Sequence, residues 1–118
     1  MRLAVALTLL AGPLAHPVAA QDFDGLYYWT GTDPVQGCKG LGSTETTIEI
    51  GEGAIWFVES GCDLTNPTAV ENMPEGTRYD AVCYGEGETW TEGMFIYKTF
   101  EGIAVLSGGA ARTYTACQ

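Results

Sequence analysis

Alternation of apolar and polar residues, rather than a helical period, runs through most of the chain. Thr46 to Ile50 alternates and puts Ile48 and Ile50 on one face of a strand. Phe23 to Thr30 is rich in aromatic, β-prone residues, with Leu26, Tyr27, Tyr28 and Trp29 in succession. Ala54 to Glu59 is apolar on both faces, Ile55 and Phe57 against Trp56 and Val58, which predicts a strand covered on both sides. Thr77 to Tyr84, Thr89 to Phe100, Ile103 to Leu106 and Ala111 to Cys117 supply four more strands. Between them lie punctuating segments. Gly31 to Ser43 reads as a loop, and Asp63 to Gly76, with Asn66-Pro67 and Met73-Pro74, reads as a long connection. No window of a dozen residues shows a helical period with caps.

The pattern predicts an all-β chain: a small antiparallel barrel, or a strongly twisted sheet, of about six to seven strands. Gly51-Glu52-Gly53 and Gly85-Glu86-Gly87 are the sharpest turn signals, each followed by a Trp three residues after its second glycine, Trp56 and Trp90. Glycine admits positive φ, so both phrases read as equivalent hairpin tips. Two copies are too few for a solenoid.

The first twenty residues depart from this pattern. Arg2, the apolar run Leu3 to Leu10, the breakers Gly12, Pro13 and Pro17, and the small residues Val18-Ala19-Ala20 make residues 1–20 a secretory signal peptide. The apolar run is short for a bilayer span, and no Cys follows the cleavage position, so no membrane anchor is expected after cleavage. The mature domain would be Gln21 to Gln118, periplasmic or secreted.

Cleavage changes the charge balance. His16 and Arg2 leave, and Lys39, Arg78, Lys98 and Arg112 then face fifteen carboxylates, a net charge of −11. So acidic a chain repels nucleic acid and anionic lipid, and attracts cations or a basic envelope or extracellular protein.

Cys38, Cys62, Cys83 and Cys117 remain in the exported chain. An even number in a small exported domain reads as a disulfide framework. Spacings of 24, 21 and 34 contain no C-x-x-C pair, and with no His in the mature chain a zinc site is not indicated. Of the three possible pairings, Cys62–Cys83 with Cys38–Cys117 is preferred. Cys62 follows one strand pattern and Cys83 sits near the end of the next, while Cys38 and Cys117 would tie the N-terminal region to the last strand.

Candidate chemistry is narrow. Without His, Ser or Cys nucleophiles lack their usual base. No phosphate loop or dinucleotide fingerprint occurs, so no cofactor is expected. Asp22-Phe23-Asp24-Gly25 matches the opening of a calcium loop but lacks the Glu at its twelfth position, so no metal is expected. What remains is Glu86, Glu88 and Glu92 around Trp90, which an early strand start would set on one face. Glu86, Glu88 and Trp90 are the candidate binding residues. Two such carboxylates beside an aromatic could also work as acid and base on a glycan. The three tryptophans and six tyrosines are expected mainly in the core, as no larger aliphatic set competes for it.

Glu59-Ser60-Gly61-Cys62, Leu64, Pro67, Tyr79-Asp80-Ala81, Cys83, Gly85-Glu86-Gly87-Glu88, Trp90 and Cys117 together resemble a group of small exported bacterial proteins of uncharacterised activity. The resemblance implies a two-disulfide β domain and carries over no activity.

Two functions follow from different classes. One is a non-catalytic binding module or inhibitor of a basic enzyme, lysozyme being the obvious class, although the signature loop of lysozyme inhibitors is not found in this chain. The other is a small carboxylate-dependent hydrolase of envelope glycan. A pocket with facing carboxylates would favour the second; a flat acidic patch would favour the first.

Overall fold

The computed structural model describes residues 22–118, so the signal peptide expected over residues 1–20 lies outside the described residues. The described chain forms eight strands: β1 (Gly25–Trp29), β2 (Thr47–Gly51), β3 (Ala54–Trp56), β4 (Gly61–Val70), β5 (Met73–Gly85), β6 (Glu88–Lys98), β7 (Gly102–Ser107) and β8 (Ala110–Ala116). Each pairs antiparallel with its successor, and β8 returns to β1 with Tyr27 opposite Ala116 and Trp29 opposite Tyr114. The result is a closed up-and-down barrel. Closure removes the free edges that a small open sheet would expose.

Alternation fills the interior. Ile48, Ile50 and Ile55 meet Tyr79, Ala81, Cys83, Met94, Ile96, Ile103 and Val105 in one buried cluster. The core is therefore more aliphatic than expected. Tyr27, Tyr79, Tyr114 and Phe23 are buried, but Trp90 is 40% exposed, Tyr84 39% and Phe100 fully exposed. The isoleucines sit at alternate positions on short strands, and a barrel this narrow takes one inward side chain at each.

Three tips carry two residues at positive φ: Glu52 (53°) with Gly53 (78°), Glu86 (52°) with Gly87 (80°), and Gly108 (57°) with Gly109 (81°). These are type I′ turns, whose twist matches the flanking strands. The two Gly-Glu-Gly phrases are equivalent hairpin tips, as their sequence indicates.

Two expectations need correction. Asp63 to Gly76 is not a connection: it belongs to the β4–β5 hairpin, which turns at Glu71-Asn72 and raises the strand count to eight. Its prolines are tolerated because they sit where the ladder is irregular. Pro67 falls in a register shift between Thr65 and Thr68 beside Asn66 at φ 52°, and Pro74 lies in a second shift where Ala69 pairs with Thr77 and Val70 with Met73. The strand expected over Ala54 to Glu59 stops at Trp56. Phe57 N–H then donates to the Ser60 carbonyl at 2.8 Å and closes a tight loop.

Both disulfides have the expected pairing. Cys62 and Cys83 are direct cross-strand partners on β4 and β5, and Cys38–Cys117 ties the β1–β2 loop to the end of β8. That loop contains one helical turn, α1 (Pro34–Gly37), capped by the Asp33 carboxylate, which accepts from Val35 N–H at 2.9 Å. It lies flat on β1. A Cβ at Gly37 would stand 2.7 Å from Tyr28 Cβ, and the buried Thr47 hydroxyl donates to the Gly37 carbonyl at 2.8 Å.

The wall is uneven in height. β6 pairs with β5 from Glu88 to Tyr97, but with β7 only from Met94 to Lys98. At the end carrying the Glu86–Gly87 turn, the β5–β6 hairpin therefore rises above the β7–β8 turn.

Candidate functional site

The raised hairpin forms one side of the candidate site. Trp90 is the cross-strand partner of Cys83, and Glu92 that of Ala81, both interior positions, so strand alternation puts Glu88, Trp90 and Glu92 on the concave face. Trp90 Nε1–H donates to Glu92 Oε1 at 3.0 Å, which fixes the indole between the two carboxylates. Glu86 is not on that strand face, because β6 begins at Glu88 and Glu86 is a turn residue.

The β3–β4 loop forms the other side. Gly85 lets it approach: a Cβ there would lie 2.8 Å from Ser60 Cβ and 3.1 Å from the Glu59 carbonyl oxygen. Between loop and hairpin opens a cleft of about 430 Å³ lined by Phe57, Val58, Glu59, Ser60, Gly85, Glu86, Glu88 and Trp90. The structure thus brings Glu86, Glu88 and Trp90 together and adds Glu59 and Phe57. All three carboxylates are exposed, and Val58 is 41% exposed.

Glu59, Phe57 and Val58 were missed because their stretch reads as a strand apolar on both faces. The available signal was Ser60-Gly61 directly after them, small residues that permit a tight loop. A smaller recess of about 90 Å³ shares Phe57 and is lined also by Ser107, Ala110, Arg112 and Tyr114. There the Arg112 guanidinium lies 4.2 Å from the centre of the Trp29 ring, a cation–π contact. Burial pushes the Tyr114 phenol above its usual value, opposed by a hydrogen bond with Trp29 and by the Arg112 charge.

At the opposite mouth the N-terminal segment packs on the core and leaves a recess of about 280 Å³, lined among others by Asp22, Asp24, Ile50, Leu64 and Tyr79. Phe23 is buried, and its carbonyl accepts from the Tyr27 hydroxyl at 2.6 Å. Burial first, then the charges of Asp22 and Asp24, push the Tyr27 phenol up; burial is also the main cause at Tyr79, aided by Asp24 and opposed by Thr77. Among the described residues no group of three or more Cys, Asp or Glu side chains gathers as a metal cage. On the outer wall, Asn66 and then Arg78 hydrogen-bond Asp80 and hold its carboxyl below the usual range. The Arg78–Asp80 pair, at 2.9 Å, is exposed on both sides, so water screens it.

These features define a class: a closed, disulfide-stapled β-barrel with a filled interior and an acidic, aromatic cleft on its rim. Two disulfides, and no free cysteine among the described residues, belong to an oxidising compartment. Within the described residues no helix is long and apolar enough to cross a membrane. No protein-family model, curated protein or solved structure matches the chain.

Proposed function

We propose that this is an exported, non-catalytic binding module that engages a basic protein of the periplasm or the extracellular space through the rim cleft, in the manner of an inhibitor. One observation carries the reading. Glu59, Glu86 and Glu88 share a single open cleft with the exposed Trp90 and the half-buried Phe57. A lysine or arginine side chain entering there gains both carboxylate attraction and an aromatic face. The interior supports the same reading, since Ile48, Ile55, Met94, Ile96 and Ile103 fill it and leave recognition to the rim.

The carboxylates around Trp90 also favour a second reading, hydrolysis of envelope glycan. A glycosidase acid needs a carboxyl that its surroundings keep protonated. Glu59, Glu86 and Glu88 are all exposed on the rim, open to an incoming cationic side chain.

The test is binding of the mature, oxidised protein to a panel of basic proteins that includes a lysozyme, at low and high salt. Attraction over a surface of charge −11 is screened beyond about 10 Å at 0.1 M salt, so association should slow as salt rises. Glu86→Lys with Glu88→Lys should slow association roughly tenfold at low salt and leave the fold intact. Retention of no basic protein at low salt would refute the proposal. Turnover of envelope glycan that is lost in Glu86→Gln or Glu88→Gln, with the fold intact, would put the hydrolase in its place.

A further inference from the structure

We infer that the open edge of β6 at Glu88–Gly93 receives an extended, cationic segment of the binding partner as an added strand. The inference rests on the binding reading above and names the form its partner takes. The pairing of β6 with β7 begins at Met94, so Glu88 to Gly93 have ladder partners on the β5 side alone among the described residues. Among the described residues β4 has a second such edge at Thr65–Val70, but the bulge at Asn66-Pro67 interrupts it, whereas Glu88–Gly93 pairs with β5 without a register shift.

The turn decides which backbone groups are free. A two-residue I′ loop makes its flanking residues, here Gly85 and Glu88, the hydrogen-bonded pair. Antiparallel alternation then commits the backbone groups of Glu88, Trp90 and Glu92 to β5 and turns those of Thr89, Thr91 and Gly93 outward. β7 ends at Ser107 opposite Met94 and turns away at Gly108-Gly109, below this edge.

Charge selects the occupant. A strand laid on this edge places alternate side chains on the concave face beside Glu88, Trp90 and Glu92. Basic residues four positions apart would meet the two carboxylates, with a residue between them over the indole. A second copy of the chain fits badly. Antiparallel pairing about Trp90 would set Glu88 of one copy against Glu92 of the other, like charges directly opposed. In that register the edge repels a second copy and accepts a strand of opposite charge.

The probe is a synthetic peptide of sequence Thr-Lys-Thr-Val-Thr-Lys-Thr, added to isotopically labelled mature protein and followed by amide hydrogen exchange. The Thr89, Thr91 and Gly93 amides should slow about tenfold or more. The same peptide methylated at every backbone nitrogen keeps its charge and should bind at least tenfold more weakly. Thr91→Pro, which removes an outward N–H rather than a ladder bond, should block peptide protection of the edge with little change in melting temperature. If Thr91→Pro fails to fold, the methylated peptide decides alone. Equal binding of both peptides, or unchanged exchange at the edge while basic proteins still bind through Glu86 and Glu88, overturns the added strand and leaves the binding module standing. Failure of every basic protein and of the peptide to bind overturns both.

Discussion

Replacing Gly87 by Val tests the turn that places the candidate site. Gly87 has φ +80° and follows Glu86 at +52°, and a Cβ at Gly87 meets nothing within 4 Å. The substitution therefore changes backbone strain without adding a clash. Holding an L-residue in the left-handed region costs roughly 1–2 kcal/mol, and a β-branched side chain lies at the upper end. For a domain of this size each kcal/mol moves Tm by about 4–8 °C, so Gly87→Val should melt about 8–15 °C below the parent protein. Gly87→Ala should lie between the two. D-alanine at position 87, introduced by chemical ligation, should restore or exceed the parent Tm, because its mirror-image preference matches positive φ. Thermal unfolding of the oxidised proteins, followed by near-ultraviolet circular dichroism, reads all three. An unchanged Tm for Gly87→Val would show that Gly87 occupies ordinary φ. Equal destabilisation by L- and D-alanine would show that the cost is not conformational. Since this turn sets the register of β6, the valine variant should also weaken binding at Glu88 and Trp90.

The buried phenols predict an alkaline limit. Burial raises Tyr27, Tyr79 and Tyr114 above the ordinary value near 10, so their stabilising contribution is complete below about pH 10 and is lost as pH rises through the folded-state values. Phenolate absorbance should show three tyrosines titrating late and together with unfolding; reversible titration of all six in the folded barrel would refute this. The disulfides should differ in weight. Chain entropy assigns about 3 kcal/mol to Cys62–Cys83, which spans 21 residues, and about 4.5 kcal/mol to Cys38–Cys117, which spans 79. Denaturant unfolding of the two double-alanine variants checks the order. A loss under about 1 kcal/mol for the Cys38–Cys117 pair would show that the β1–β2 loop detaches without the barrel.

The all-β class, the strands around Ile48 and Ile50, both Gly-Glu-Gly turns and both disulfides were legible because each depends on local periodicity or on glycine's freedom at positive φ. The eighth strand was not. Asn66-Pro67 and Met73-Pro74 carry the composition of a loop, and only the ladder on each side shows that they sit in bulges of one long hairpin. The core was misjudged for a related reason: a count of tryptophans and tyrosines does not say which fall on inward positions, and the isoleucines do. Half of the cleft was readable, since Glu86, Glu88 and Trp90 are neighbours in sequence. Glu59 and Phe57 join them only because Gly85 lets Ser60 approach, a contact between segments far apart in the chain.

The position of the Cys62–Cys83 disulfide explains how so small a domain can hold its cleft in shape. Ile55, Cys62, Cys83 and Trp90 lie opposite one another across four consecutive strands, β3 to β6. This row runs beneath the cleft. The loop that supplies Phe57 and Glu59 joins the first two of these strands, and the turn that supplies Glu86 joins the last two. The covalent bond sits in the middle of the row, with Cys62 and Cys83 almost wholly buried. The two sides of the cleft therefore cannot part without breaking either the disulfide or the ladder around it. On the proposed function, binding would then spend less on ordering loops, the condition under which a small acidic rim holds a partner beyond the encounter that its charge promotes. The row fixes one raised hairpin and one tight loop against each other, beside the stretch of β6 at Glu88–Gly93 that pairs with β5 alone among the described residues.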